Sequence, residues 1–274
     1  MDARGLLDGL LDLVFPRRCV ACKAPGAWLC PECAAALVAF PPERCRRCGA
    51  PGASRVCPEC GGSELAFSGA GAAFVYEGPA RALVTACKFR ALRSIAAEMT
   101  ALAAPAFAAA CGLGPGPGAT APVDLVTWVP GHRERSLERG FNQAELLGRG
   151  LARSAGLPAA PLLVRTRHGA RQSDLDRDAR AANVADAFAL RQDASRVLRN
   201  LKRVVIVDDV YTTGETLNHC ARAFGQTGTD SLVFTFARTV RATRSRPSRN
   251  TPAPSRAAVV PCILHPAILK ELCR

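Results

Sequence analysis

The sequence predicts an α/β protein: a parallel sheet flanked by helices, preceded by a small cysteine-rich metal-ribbon domain. Three observations lead there. RVVIVDD (203–209) has the nearly unbroken apolar run of a strand buried on both faces of a parallel sheet. Strand-like and helix-like segments alternate from about residue 68. Eight of the 13 cysteines form four C-x-x-C pairs near the N-terminus.

The first segment, residues 1–17, places Leu6, Leu7, Leu10, Leu11 and Val14 at helical spacing. Asp8 and Asp12 interrupt the unbroken apolar run that a secretory signal would have. It reads as an amphipathic helix packed on the protein, with a membrane-surface helix as the alternative. No stretch reaches the roughly 18 apolar residues of a membrane span, so a cytoplasmic protein is expected.

Residues 18–63 carry the pairs Cys19/Cys22, Cys30/Cys33, Cys45/Cys48 and Cys57/Cys60. Each C-x-x-C turn aims two thiolates at one point, and two turns complete a tetrahedral four-sulfur shell for Zn2+. Sequence order groups 19/22/30/33 and 45/48/57/60; a crossed arrangement is the alternative. A disulfide framework would need an oxidising compartment, which the absence of an export signal argues against. Closed four-sulfur shells leave no position for a reacting water, so two structural zinc ions are expected. Arg17, Arg18, Lys23, Arg44, Arg46, Arg47 and Arg55 surround them. These side chains suit either phosphate contacts or the offsetting of thiolate charge.

Residues 68–240 form the α/β domain. Strands are expected at 72–78, 124–130, 162–166, 203–209 and 231–237, and helices at 80–89, 95–111, 141–156 and 215–228. GLGPGPGATAP (112–122) mimics dinucleotide-binding glycine spacing, but it follows no strand and its prolines lack amide donors, so it reads as a loop.

After the strand 203–209 comes Thr212-Thr213-Gly214-Glu215-Thr216. A tight turn into a helix presents free backbone N–H groups and a favourable dipole to an anion. Asp208 and Asp209 repel that anion, so they must face something else: vicinal hydroxyls, a divalent cation, or both. A ribose 5-phosphate meets both demands, with phosphate in the loop and hydroxyls at the acids. A nucleoside triphosphate P-loop is excluded, because G-x-x-x-x-G-K-[ST] is absent.

This stretch resembles the signature of the type I phosphoribosyltransferases, which bind phosphoribosyl pyrophosphate (PRPP) with Mg2+. VPGHRERSLERGFNQAELL (129–147) looks like the ComF family, as do Gln172, Leu175, Arg180, Asn183 and Phe188. The N-terminal FP-x-x-C-x-x-C and the cysteine pairs resemble that family's zinc-binding segment, a double zinc ribbon. The resemblance spans roughly residues 5 to 240. It implies a phosphoribosyltransferase-type sheet, and PRPP held by Asp208, Asp209, Thr212, Thr213, Gly214 and Thr216. It also implies a link to DNA uptake in natural competence. Arg133, Arg135 and Arg139 are candidates for the pyrophosphate; a solvated basic loop is the other reading. Lys88 is a further candidate there. Asn142 is either a helix cap or a ligand contact.

The resemblance implies phosphoribosyl transfer to an unidentified acceptor. Purine-salvage relatives carry an aspartate where this chain has Thr212, so no catalytic residue is identified. The alternative is a non-catalytic competence or DNA-processing factor that keeps the ligand site and binds single-stranded DNA or an uptake protein. The net charge of +13 suits an anionic partner. Much of it, however, lies in Arg238, Arg241, Arg244, Arg246, Arg249 and Arg256. Residues 241–274 read as a basic, disordered tail.

Overall fold

The computed structural model describes residues 17–52, 57–61, 64–89, 93–113, 122–131, 140–166 and 187–240. The expected helix over 1–17, apart from Arg17, and the expected tail lie outside the described residues, as does most of the 112–122 loop.

The core is a four-stranded parallel sheet in the order β1-β6-β5-β2. Its strands are β1 (Gly69–Val75), β2 (Leu125–Trp128), β5 (Arg203–Tyr211) and β6 (Asp230–Arg238). The helices are α1 (Pro31–Ala35), α2 (Gly78–Phe89), α3 (Arg93–Ala110), α4 (Gln143–Ser154), α5 (Ala194–Leu198) and α6 (Glu215–Arg222). LLVRT does not join this sheet. Its residues Leu163–Arg165 (β3) pair antiparallel with Phe188–Leu190 (β4) as a separate two-stranded ribbon. Strand propensity identified the segment, but propensity says nothing about the pairing partner. The strand expected at 72–78 begins at Gly69, and the helix expected at 215–228 stops at Arg222. Turns through Gly225 and Gly228 follow, the latter at φ +71°. Two short helices, α1 and α5, and strand β4 were not expected, because five or three residues are too few to show a period.

Alternation along β5 sends Val205, Val207, Asp209 and Tyr211 to one face and Val204, Ile206 and Asp208 to the other. On the first face lie α3 and α4. Phe107 of α3 meets Phe234 of β6 edge-on, with ring centroids 5.1 Å apart. Helix α4 reaches Trp128 and Val207 through Gly148, where a Cβ would stand 3.2 Å from the indole. Gly150 lies on Thr100 of α3, 2.5 Å from a would-be Cβ. Two glycines inside a helix weaken it, but here they let α4 pack against sheet and helix at once. On the second face Thr127 Oγ1 accepts from the Leu162 N–H at 3.2 Å, which seats the β3–β4 ribbon. Helix α6 packs there too, burying Leu217 and Cys220.

The cysteine pairs group in sequence order, 19/22/30/33 and 45/48/57/60, which decides against the crossed arrangement. Within each set the thiol sulfurs lie within 4.8 Å of one another. Cys22–Cys30, Cys45–Cys60 and Cys48–Cys57 are 3.5, 3.7 and 3.5 Å apart. A tetrahedral Zn2+ with Zn–S of about 2.3 Å places its sulfurs about 3.8 Å apart, so both sets fit the ion. The two leading turns share one design. Cys19 and Cys45 donate N–H to Ala24 and Ala50, and accept from the N–H of Lys23 and Gly49. That turn forces a left-handed residue, Lys23 at φ 70° and Gly49 at φ 73°. Lysine is strained there by about 1 kcal/mol, and glycine is not. Burial opposes ionisation of the leading cysteines, but backbone N–H donors prevail and bring Cys19 to about 6 and Cys45 to about 7. Each set therefore presents a thiolate for a cation near neutral pH.

The ribbons are part of the α/β domain's own packing. Phe40 N–H donates to Ala73 and Val75 N–H to Val38, both at 2.9 Å, so residues 38–40 cover the open edge of β1. Val20, Leu29 and Cys30 enter the main apolar core. Stripping zinc is therefore expected to lower the melting temperature of the whole domain by about 5–10 °C. Calorimetry of the protein with and without a strong chelator checks this. Acidification should release both ions, because the ligands must be thiolates.

Candidate functional site

Adjacent strands β2 and β5 send their following helices to opposite faces, α4 to one and α6 to the other. A crevice at their carboxyl ends follows, the usual ligand position in an open α/β sheet. The acids and the threonine loop stand at the β5 side of it.

Strand β5 runs on through the acids to Tyr211, so the two carboxylates lie within regular strand and point to opposite faces. Asp209 is buried, and its Oδ2 lies 2.9 Å from Nζ of Lys88, in the last turn of α2. Asp208 keeps some access to solvent but is surrounded by protein atoms. Its Oδ1 accepts from the Asp209 N–H at 2.8 Å. Burial pushes its carboxyl up to about 8, and the Asp209 charge adds to the rise. The Asp209 N–H, Lys88 and Arg165 pull the other way without overcoming it. Cys220 of α6 feels the Asp208 charge, as expected for one face of the sheet.

Thr212 and Thr213 are exposed, Gly214 is buried, and Glu215 and Thr216 are exposed on the first turn of α6. Gly214 adopts φ +79° as the N-cap, and its carbonyl accepts from the Asn218 N–H at 2.8 Å. Glycine is required twice here. A Cβ would enter a left-handed strain, and it would stand 2.2 Å from the Tyr211 hydroxyl oxygen. The N–H groups of the first helical turn have no intrahelical acceptor. Among the described residues, the Glu215 N–H is drawn toward Thr213 Oγ1, at 3.4 Å. The loop thus places the free backbone donors of a helix start beside exposed threonine hydroxyls.

Asn142 is a cap. Its Oδ1 accepts from the Ala144 N–H at 3.1 Å, and its Nδ2 donates to the Val129 carbonyl at 2.9 Å. The next residue, Gln143, is buried with its Nε2 unpartnered among the described residues. Arg133, Arg135 and Arg139 lie outside the described residues, as do Gln172, Leu175, Arg180 and Asn183. Phe188 lies in β4 beneath Arg165, whose Cζ is 4.6 Å from the ring centre. Sequence reasoning missed the pairing of Lys88 with Asp209 and the closeness of Arg165 to Asp208. Period-two alternation could have separated the two acids, but no local signal joins residues 88 and 209.

A cavity of about 520 Å3 lies elsewhere, between the second ribbon and the sheet. It is lined by Arg44, Arg46, Gly69, Gly71, Val205 and Phe234. Those strand residues precede the acids and the loop, so this cavity is not the crevice.

Residues 10–63 match the double zinc ribbon domain family. The chain is 30% identical over 236 residues to the DNA utilization protein YhgH of Salmonella typhimurium, covering 83% of this chain and 100% of that protein. It is 35% identical over 112 residues to competence protein F of Haemophilus influenzae, covering 40% of this chain and 48% of that one. Competence protein ComFC of Bacillus subtilis is 31% identical over 108 residues, 39% of this chain and 41% of that one. The last two matches span about half or less of those relatives. Among solved structures, a glutamine PRPP amidotransferase from B. subtilis aligns over 51% of this chain and 26% of its own, at 17% identity. Its TM-score of 0.32 is too low to bear on fold or ligand. The full-length match, the paired four-cysteine ribbons and the relatives named for competence together show that the chain belongs to the ComF family.

Proposed function

We propose that the protein binds PRPP with Mg2+ at the carboxyl end of β5. The observation that carries this reading is the juxtaposition of two strand-borne carboxylates with a glycine-capped helix start lined by threonines. The 5-phosphate takes the N–H groups and hydroxyls of Thr212, Thr213, Gly214 and Thr216. The ribose hydroxyls donate to Asp208 and Asp209, which is why two acids stand beside an anion loop. Carboxylate oxygens also suit Mg2+, which accompanies the pyrophosphate and offsets its charge. Lys88, already held by Asp209, can turn its ammonium from that carboxylate to the incoming pyrophosphate. Arg133, Arg135 and Arg139 follow the β2 end and remain candidates for the same group. If transfer occurs, the anomeric carbon loses pyrophosphate through an oxocarbenium-like state, stabilised by these charges. Thr212 offers no base to an acceptor, so a substrate that is already nucleophilic is favoured.

Work on DNA is the second part of the proposal. The relatives carry names of DNA utilization and competence, and Arg18, Lys23, Arg46 and Arg47 are exposed around the ribbons. Affinity for single-stranded DNA that falls steeply with salt would support it.

Calorimetric titration of PRPP and Mg2+ into the zinc-loaded protein tests the ligand reading. Wild type should bind, and an Asp208→Asn/Asp209→Asn protein should lose on the order of 100-fold in affinity, as removal of two charge-assisted hydrogen bonds implies. A folded wild type that does not bind rules the reading out. Ligand hydroxyls and a cation favour ionised Asp208, so binding near pH 7 should release a proton. Titrations in buffers of different ionisation enthalpy count it.

Asp208 also has a stability signature. Its folded value of about 8 exceeds the ordinary 3.8, so the folded state holds a proton that the unfolded state has released. Wild type therefore loses stability as pH rises from about 4 to about 8. Asp208→Asn removes that slope. The variant should melt about 2–4 °C above wild type at pH 8 and converge with it near pH 4. Thermal scans across that range check this.

A further inference from the structure

We propose that Arg238 is a positioning residue through which zinc in the second four-cysteine set holds the threonine loop in its anion-binding shape. The inference rests on the reading of that loop as a phosphate site, and adds a control of the same site by the ribbon's metal.

Arg238 ends β6 and is 3% exposed. Its Nη1 donates to the carbonyl of Cys48, and its Nη2 lies 2.9 Å from Oε2 of Glu59. Cys48 belongs to one C-x-x-C turn of the second set, and Glu59 sits inside the other, between Cys57 and Cys60. One guanidinium therefore spans both turns that the metal draws together. Its opposite side faces Tyr211, with Cζ 4.0 Å from the ring centre. Tyr211 is 4% exposed, and its hydroxyl fills the space where Gly214 lacks a Cβ. The chain of contacts runs from the second cysteine set to Arg238, to the Tyr211 ring, to the glycine that caps α6.

Two features tighten this connection. Gly49 brings the ribbon so near that a Cβ would lie 2.7 Å from the Ala70 carbonyl oxygen and 3.2 Å from Arg238 Nη1. Thr239, next after Arg238, donates its N–H to the Tyr211 carbonyl at 3.0 Å, and its Oγ1 lies 3.3 Å from the Thr212 carbonyl oxygen. The end of β6 thus braces the loop by backbone and side chain together.

The energetics give the link a direction. A buried guanidinium stripped of its carboxylate and carbonyl partners is strongly unfavourable. Metal loss frees the two turns, and Arg238 must then leave for solvent. Tyr211 loses the cation on its face, and Gly214 loses the packing that holds its left-handed turn. The first cysteine set differs. Val20 and Lys23 of its leading turn lie by α2, near Gly78, Arg81 and Ala82, and its Cys19 and Cys30 share the main apolar core with Tyr211, so it meets the loop through apolar packing and not through a buried guanidinium.

Hydrogen–deuterium exchange of peptides covering 211–217, read with zinc content and PRPP/Mg2+ titration on the full chain, tests the link. Arg238→Gln leaves all eight cysteines in place. It should keep two zinc ions per chain, raise exchange of 211–217 by on the order of tenfold, and weaken PRPP by a similar factor. Arg238→Lys, which keeps the charge but not the planar fork, should recover part of both. Removing the second site by Cys45→Ser/Cys48→Ser should expose the loop directly, whereas Cys19→Ser/Cys22→Ser, which loosens the shared apolar core, should raise exchange of 211–217 several-fold less than the second-site variant does. Loop exchange unchanged in Arg238→Gln overturns the proposal. Should that protein fail to fold, Glu59→Gln decides, since Glu59 is a partly exposed ribbon residue. Unchanged loop exchange there also overturns the proposal. The exchange readings hold whether or not PRPP proves to be the ligand, so a failed ligand reading stays distinct from a failed link.

Discussion

Strand β5 lies between β6 and β2 and can be buried only if both faces of the sheet are covered. Its apolar residues, Val204 to Val207, are buried at 1% exposure or less. Everything around them answers that demand. Helices α3 and α4 close one face, and α6 with the β3–β4 ribbon closes the other. Opposed coverage of adjacent strands leaves Asp208, Asp209 and the threonine loop at the carboxyl end of the sheet, where open α/β sheets ordinarily take their ligands. The site is thus a product of how a parallel sheet must be wrapped.

Charge at the edge of that core sets the character of the site. Burial disfavours the Asp208 carboxylate, and the two acids have unequal partners. Asp209 has a lysine at hydrogen-bond distance, and Asp208 has one backbone donor and feels the charges of Lys88 and Arg165. The result is one acid paired with a cation and one that holds its proton near neutral pH. On the far side of β6 the same logic acts on Arg238. Its burial is tolerable because the second ribbon supplies a carboxylate and a carbonyl, and β5 supplies an aromatic face. The ribbons therefore belong to the domain's electrostatic balance as well as to its apolar core.

Much of this was legible in the chain. Short apolar runs between turn signals located the four strands of the parallel sheet, the first of them three residues out of register at each end. Four C-x-x-C pairs within about forty residues identified the metal ligands, since two such turns complete a four-sulfur shell. What remained hidden is non-local. LLVRT reads as a strand whichever partner it takes, so its antiparallel pairing with Phe188–Leu190 could not be read. Asn142 reads equally as a cap or a contact. Only the position of the Val129 carbonyl shows that both ends of its amide are engaged.

The sequence by itself determined the class of fold, the eight zinc ligands and the loop from Asp208 to Thr216. Each rests on local spacing: period two in a strand, three residues in a metal turn, a glycine at a helix start. The tertiary structure alone decided which cysteines share an ion, that Lys88 answers Asp209, and that Arg238 joins the second ribbon to Tyr211. Those partners are separated by as many as 190 residues. No spacing rule reaches that far, because such contacts exist only once the sheet has brought its carboxyl ends together.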